Sequence, residues 1–329
     1  MIERFAFSSE GLAEDQAFEL YRRLYSDGSD VARGPGPFRA DMSAWRLDRL
    51  IVFDRRLSGV SHQRLAPRVQ STGFSHFTVT QVIAGELIGT TTSGFERVGP
   101  GQIVLQDMRR PAQHHVASAH QITVSVARDL IEAAAGSANG LHGRVVPAAE
   151  AGILADFMIS LTRRASSLPK GASSAVSRAF VDLLSLALVT TGGGSRAGTA
   201  REDFTRREAI QRFIEQNLFD PGLDAAAIIA GTGVSRTVLY RAMAPHGGVA
   251  RFIGTQRIAR VRSRLDIDNE TPLAELAEQH CLSSASRLSK RFKETFDVSP
   301  SDYRRLIADP DRAVEALKQR WAAWMVEIR

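Results

Sequence analysis

What this sequence lacks already narrows its chemistry. One cysteine, Cys281, among 329 residues excludes an internal disulfide and any zinc cage built on several thiolates, and it fits a reducing compartment. No run approaches the roughly 18 apolar residues of a membrane span. The start Met1-Ile2-Glu3-Arg4-Phe5 places charges where a secretory leader needs apolar residues, so a cytoplasmic location without membrane attachment is expected. Neither GxSxG nor HExxH occurs, and the run Gly192-Gly193-Gly194-Ser195 lacks the GK[ST] ending of a phosphate loop. With no nucleophile signature and no metal cage, the expectation is a non-enzyme without cofactor. Lysine is scarce as well: only Lys170, Lys290, Lys293 and Lys318 stand among 42 basic residues, so arginine carries the net charge of +6. Arginine suits phosphate and base edges, and the charge permits an anionic partner without demanding one.

What is present is ordinary globular material. Hydrophobic residues make up 43% and charged residues 24%, and a chain of this length predicts two domains. Residues 1 to about 45 offer one amphipathic stretch (Phe18, Tyr21, Leu24, Tyr25) and the turn-rich Gly34-Pro35-Gly36-Pro37, which read as a lead-in. Short β-type runs follow at 51–54, 76–83, 86–90, 102–106 and 121–127, separated by Gly, Pro and Ser, and predict a sandwich or small barrel. Residues 150–166 and 173–190 then switch to helical period. Stripes of Ile153, Phe157, Leu161 and of Val176, Phe180, Leu183, Ala187 predict a helical hairpin. Four glycines within Thr190–Thr199 place a flexible linker at 191–203.

Beyond 204 only helices are expected. Thr205 with Glu208 forms a candidate capping box, and Thr271-Pro272 and Ser299-Pro300 each set a cap before a first-turn proline. From Leu223 to Ala244 the pattern is a helix ending near Ala230, a Gly231-Thr232-Gly233 break, and a second helix capped by Ser235. The arrangement recurs from Thr271 to Phe292, with a break at His280–Leu282 and a cap at Ser283 or Ser284. A connector of about 17 residues, 249–265, spans roughly 25 Å as a helix. That length suits two helices entering successive major-groove faces about 34 Å apart. Its Ile258, Val261 and Leu265 are expected to pack on both units, with Arg251, Arg257, Arg260, Arg262 and Arg264 remaining polar-facing, at least some of them on a plain solvated face. A last helix, 311–328, aligns Leu317, Trp321, Trp324, Met325 and Ile328, a face expected to belong to a core.

These residues resemble the AraC/XylS family of bacterial transcription regulators over about 205–305. The carriers are Gly233-Val234-Ser235-Arg236, Leu239, Arg241, Arg257-Ile258, Leu276-Ala277, Arg291-Phe292-Lys293, Phe296 and Val298-Ser299-Pro300-Ser301-Asp302-Tyr303-Arg304. The sequence departs from the family pattern at Ile229 and Arg262, where alanine is usual, at Cys281-Leu282 for Gly-Phe, and at Asp297 for glycine. Cys281 is expected to be a small buried thiol at a turn. The resemblance implies a 204–306 DNA-binding domain with two helix-turn-helix units, and the 307–329 helical extension runs past the typical family end. Thr237, Tyr240 and Arg241 would face DNA on the first recognition helix, where Arg236 shares their side. Ala285, Ser286, Arg287, Ser289 and Lys290 occupy the corresponding stretch of the second. Arg241, Arg287 or Lys290 would suit guanine, and Ala285 or Thr237 a thymine methyl. For each polar residue a phosphate contact or plain exposure is an equal alternative.

The first 190 residues resemble the cupin-like effector-binding and dimerisation domain of one branch of that family. Gly34-Pro35-Gly36-Pro37-Phe38, Trp45, Phe53-Asp54-Arg55-Arg56, Phe74-Ser75-His76-Phe77, Pro100-Gly101-Gln102-Ile103 and Val124-Ser125-Val126-Ala127-Arg128 carry the likeness. The implied protein is a two-domain, homodimeric regulator of promoter DNA. An N-terminal β-barrel senses a small organic effector, and RNA polymerase is a further partner. Metal is not expected: catalytic cupins carry an HxH pair, whereas His114 and His115 are adjacent and face opposite sides of a strand, and His62 and His76 stand alone. A cupin-type enzyme fused to a helical accessory domain, and a protein-interaction adaptor, remain as alternatives.

Overall fold

The computed structural model describes residues 2–190, 197–268, 270–309 and 312–328. The chain divides into two compact units, one centred on Met1–Arg201 and the other on Glu202–Glu327. Among the described residues no helix is long and apolar enough to cross a membrane.

Among the described residues the first unit is a ten-stranded antiparallel sheet with five α-helices. Its elements are β1 (Arg4–Ser8), α1 (Glu14–Tyr25), β2 (Asp30–Arg33), β3 (Arg39–Leu47), β4 (Leu50–Arg64), α2 (Ala66–Thr72), β5 (Phe77–Gly85), β6 (Leu87–Thr91), β7 (Gly94–Val98), β8 (Ile103–Asp107), β9 (Ala112–Val126), α3 (Arg128–Ala135), β10 (Val145–Val146), α4 (Ala148–Arg164) and α5 (Ser173–Thr190). The strand order is β1-β3-β4-β9-β5-β8-β10, with β2 on β4 and β6 on β9. Two 15-residue strands, β4 and β9, pair from Leu50↔Val126 to Arg64↔Ala112 and carry the rest. Gly59, at φ 61°, breaks the alternation of β4: Phe53, Arg55 and Leu57 are buried before it, and Val60 and His62 after it. A side chain there would overlap the backbone of Gly36 and Pro37, so the bend requires glycine.

Residues 1–45 are therefore no lead-in. Phe5 and Phe7 alternate with exposed neighbours in β1, and Ala40, Met42 and Ala44 do so in β3. The amphipathic reading of α1 holds, since Phe18, Tyr21, Leu24 and Tyr25 are all buried. In the hairpin, α4 turns a different stripe inward from the one expected. Ala151, Leu154, Ala155, Met158 and Leu161 are buried while Ile153 is 62% exposed and Phe157 half-buried. The small residues Ala151 and Ala155 let this helix approach closely, which a pattern weighted to large side chains overlooks.

The second unit holds α6 (Ala197–Gln216), α7 (Ala225–Thr232), α8 (Arg236–Met243), α9 (Val249–Leu265), α10 (Leu273–Gln279), α11 (Ala285–Phe296), α12 (Pro300–Ala308) and α13 (Ala313–Glu327). Of the expected linker, 191–196 lie outside the described residues, and Ala197 onward is already helix. Thr205 accordingly sits inside α6 and caps nothing at its start. Two apolar cores form: Ile210, Ile214, Ile228, Leu239, Met243, Val249 and Ile253 build the first, and Ile258, Val261, Leu265, Leu276, Leu288, Phe292 and Tyr303 the second. The connector α9 serves both, but with its two halves separately; Ile258, Val261 and Leu265 all belong to the second core.

Candidate functional site

Each helix-turn-helix is shaped by local chemistry. Asp224 caps α7, its carboxylate accepting from Ala227 N at 2.8 Å. The helix runs to Thr232, past the expected break, because Gly231 lets the Phe213 ring lie against it where any Cβ would overlap. The turn is made by Gly233 at φ 70°, and Ser235 Oγ then accepts from Val238 N at 3.3 Å to start α8. In the second unit, α10 follows Pro272 without a side-chain cap, and Thr271 instead donates its hydroxyl to Asp268 at 2.6 Å. Ser284 Oγ accepts from Arg287 N at 3.1 Å and starts α11, and Ser299 caps α12 ahead of Pro300 as expected.

Two departures from the resembling family keep the conformation that glycine would adopt. Cys281 has φ 50° and Asp297 φ 58°, so both hold left-handed backbone despite their side chains. Cys281 is half-buried rather than buried, and its Sγ donates to Phe219 O at 3.0 Å. Phe219 in turn meets the His280 ring edge-on at 5.3 Å.

The predicted DNA-facing residues fall on two exposed helix faces. On α8, Arg236, Thr237, Tyr240 and Arg241 are exposed while Leu239, Ala242 and Met243 are buried, and the Arg236 guanidinium lies 5.6 Å over the Tyr240 ring. On α11, Ser286, Arg287 and Lys290 are exposed, Ala285 and Ser289 half-buried, and Leu288 and Phe292 form the inner side. Lys290 reaches Glu294 only at 4.0 Å, which leaves it movable. A pocket of about 190 Å³ beside α8 is lined by Arg206, Arg207, Val238, Arg241 and Ala242. It brings two arginines of α6 beside α8, a juxtaposition that only the Arg206-Arg207 pair could have signalled.

The arginines of α9 divide in a way the sequence pattern concealed. Arg257 is half-buried and donates to Leu218 O (2.9 Å), Asp220 O (2.9 Å) and Cys281 O (3.1 Å). It ties the segment between α6 and α7 to the turn between α10 and α11. Arg262, expected to be polar-facing, is fully buried: Nε donates to Glu327 at 2.9 Å and Nη1 to Asp266 at 2.5 Å. Its partner Glu327 lies 65 residues away on α13, beyond the reach of any local pattern. Asp266 also accepts from Tyr303 at 2.7 Å and Arg320 at 3.2 Å, so α9, α12 and α13 share one buried polar network.

The first unit contains a second candidate site, on the inward face of its sheet. His62 and His114 are cross-strand partners with rings stacked at 4.7 Å, so His62 is not isolated. His115 points elsewhere, meeting Ser61 at 2.5 Å and the Phe95 ring at 5.4 Å, as strand alternation requires. Tyr21 Oη lies 2.9 Å from His62 Nε2, and Tyr25 packs on both Tyr21 and His62. Arg55 donates to Tyr25 Oη at 3.0 Å and to the Thr123 hydroxyl, which lies 3.0 Å from Thr80. Among the described residues no group of three or more His, Cys, Asp or Glu could hold a metal ion.

Burial, then the neighbouring His114 and Arg55, hold the His62 imidazole well below its ordinary value. The same desolvation, with Arg55, pushes His114 down to about 3. The folded state thus refuses protons that the unfolded chain accepts below about pH 6.5. Stability is complete above that pH and falls as pH drops, by about 1 kcal/mol per pH unit for His62. Thermal midpoints between pH 7.5 and 5 should show the slope in the wild type and a flatter one in His62→Phe; equal slopes would refute the assignment.

With this geometry in hand, known proteins can be set beside it. The AraC-binding-like domain family matches residues 23–189, and the bacterial regulatory helix-turn-helix proteins of the AraC family match 266–305. The chain belongs to the AraC family. The second match covers the unit around α10 and α11, while α7 and α8 lie outside it and are recognised here by their caps and turn. The transcriptional activator NphR of a Rhodococcus species is 26% identical over 297 residues, 86% of either protein. The multiple antibiotic resistance protein MarA of Escherichia coli strain K12 is 31% identical over 98 residues, 29% of this chain and 76% of MarA. The crystal structure of the AraC-like transcriptional activator CuxR superposes with a TM-score of 0.54 at 20% identity, over 80% of this chain and 96% of CuxR. That likeness shows the AraC-family fold of a sheet-rich N-terminal domain and a helical C-terminal one. The protein is an AraC-family transcription regulator with a helix-turn-helix DNA-binding domain.

Proposed function

We propose that the regulator reads a two-block promoter site through α8 and α11, with Arg241, Arg287 and Lys290 on guanine edges and Thr237 or Ala285 on thymine methyls. Arg236, Tyr240, Ser286 and Ser289 complete the two faces. One observation supports this above the others: both recognition helices bury Leu239 or Leu288 and present their polar residues outward. Arg206 and Arg207, beside α8, would supply phosphate contacts, Arg206 by leaving Glu202. Arg241→Ala is expected to weaken specific binding by about 1–3 kcal/mol and to relax one base position. An equal loss on specific and random duplexes, measured by titration at fixed salt, would remove the base-reading role.

The N-terminal domain is proposed to bind a small organic effector and to dimerise in the cytoplasm, the dimer recruiting RNA polymerase. The name of the Rhodococcus relative favours activation. Ile153, Leu186 and Val189 are large apolar side chains exposed on α4 and α5, and they form the candidate dimer face. A monomer by gel filtration at micromolar concentration, with and without DNA, would remove the dimer. Catalysis forms no part of this reading, since the relatives are regulators; metal analysis of purified protein tests the cupin-enzyme alternative. Loss of salt dependence in DNA binding would favour the adaptor instead.

A further inference from the structure

The inward face of the N-terminal sheet holds a cation, Arg55, that no carboxylate among the described residues neutralises. Arg55 is 9% exposed, and its acceptors are two hydroxyls, those of Tyr25 and Thr123, with the Phe53 ring 5.6 Å below. Its Nε has no acceptor among the described residues. The adjacent carboxylate, Asp54, belongs to the opposite face of β4, where it pairs with His120 at 2.7 Å. Burying a charge in this manner is costly unless a counter-charge arrives.

Arg64 shows what a purely structural buried arginine looks like in the same domain. All three of its nitrogens are used, on Met108 O at 2.9 Å, Gly28 O at 2.6 Å and Thr72 Oγ1 at 2.6 Å. Arg55 has no carbonyl among its partners and keeps one nitrogen open. Beside it, its cross-strand partner Gln121 is fully buried with neither amide atom hydrogen-bonded among the described residues. A free donor and a free acceptor therefore lie next to an uncompensated guanidinium. The surroundings are aromatic and uncharged: Tyr21, Tyr25 and the two histidines, whose burial keeps them neutral.

We propose that this face is the effector site, that its ligand is a small organic carboxylate, and that Arg55 pairs with the carboxylate while Gln121 and Thr80 orient it. A planar guanidinium matches the two oxygens of a carboxylate. A phosphate dianion fits less well, because among the described residues at the cluster Arg55 is the one cation and both histidines stay uncharged. The proposal rests on effector binding by the N-terminal domain and adds the chemistry that the ligand must bring.

The test uses the full-length protein and two matched sets of probes, the sodium salts of acetate, benzoate and phenylacetate against acetamide, benzamide and phenylacetamide, at equal ionic strength. Thermal unfolding and titration calorimetry are the readouts. At least one carboxylate should raise the midpoint by several degrees at millimolar concentration, through selective binding to the folded state, while its amide does not. In Arg55→Met the response should vanish, yet the midpoint without probe should equal or exceed that of the wild type, because an uncompensated cation has been removed. Gln121→Leu, which keeps the cation and the volume, should weaken the response roughly tenfold.

No response to any of the three carboxylates, an equal response to the amides, or a lower midpoint for unliganded Arg55→Met would overturn the proposal. Binding is read without DNA, so the two readings fail separately. A carboxylate that binds but leaves transcription unchanged would keep the site and remove its effector role. A regulator that responds only to the amides would do the reverse.

Discussion

Arg257→Ala is expected to destabilise the DNA-binding domain by about 3 kcal/mol and to weaken binding to a two-block site far more than binding to either block alone. The side chain makes three charge-assisted hydrogen bonds, and each contributes about 1.5–3 kcal/mol before water re-solvates the freed carbonyls. Its acceptors, Leu218 O, Asp220 O and Cys281 O, belong to the segment after α6 and to the turn before α11. Removing the clamp frees one helix-turn-helix to move relative to the other, which costs little at a single block and much where both must dock together. Arg257→Lys should recover only part of the loss, since the three donors of an ammonium diverge from one atom and cannot reach carbonyls that three separate guanidinium nitrogens serve. Urea unfolding and titration of intact and half sites decide the matter. Unchanged stability with equal affinity losses on both sites would show that Arg257 has no positioning role.

Glu327→Ala carries the other large effect, about 3–5 kcal/mol, because it strands a fully buried guanidinium on α9. Asp266 remains as a partner and sets the lower end of that range. The double variant Arg262→Met with Glu327→Leu should return most of the loss, since apolar side chains of similar volume can replace a buried ion pair. The family pattern puts alanine where this chain has Arg262. The departure and the helix that follows Arg305 thus explain one another: the arginine is tolerable because α13 supplies its carboxylate. A chemical denaturation series of the two single variants and the double variant measures the coupling. Additive losses would mean that the two residues do not depend on each other.

The legible parts of the fold were those governed by near neighbours. Ser235, Ser284 and Ser299 cap their helices within three residues, and the exposed faces of α8 and α11 follow from spacings of three and four. The sheet was less legible where its strands are polar. The half of β9 from Ala112 to Ser118 reads Ala-Gln-His-His-Val-Ala-Ser and offers no apolar alternation, although it completes the 15-residue strand on which β6 pairs. Proline and glycine at Gly34–Pro37 masked β3, which starts two residues later at Arg39. The sites followed suit. The cluster of Arg55, Gln121, Thr123 and His114 is assembled by the β4–β9 register across more than 50 residues of sequence, and Arg262 finds Glu327 across 65. Periodicity marks which side chains turn inward but does not name the residue they will meet.

The division of α9 between two cores bears on promoter architecture. Val249 and Ile253 are anchored in the first core and Ile258, Val261 and Leu265 in the second, within one uninterrupted 17-residue helix. The connector is a ruler rather than a tether. One base pair inserted between two recognition blocks shifts the second by about 3.4 Å and rotates it by about 35°. A flexible tether would absorb both changes, whereas a helix packed at each end absorbs neither without bending the DNA. If α8 and α11 read two blocks as proposed, distance and helical phase would be encoded in the operator alongside its bases.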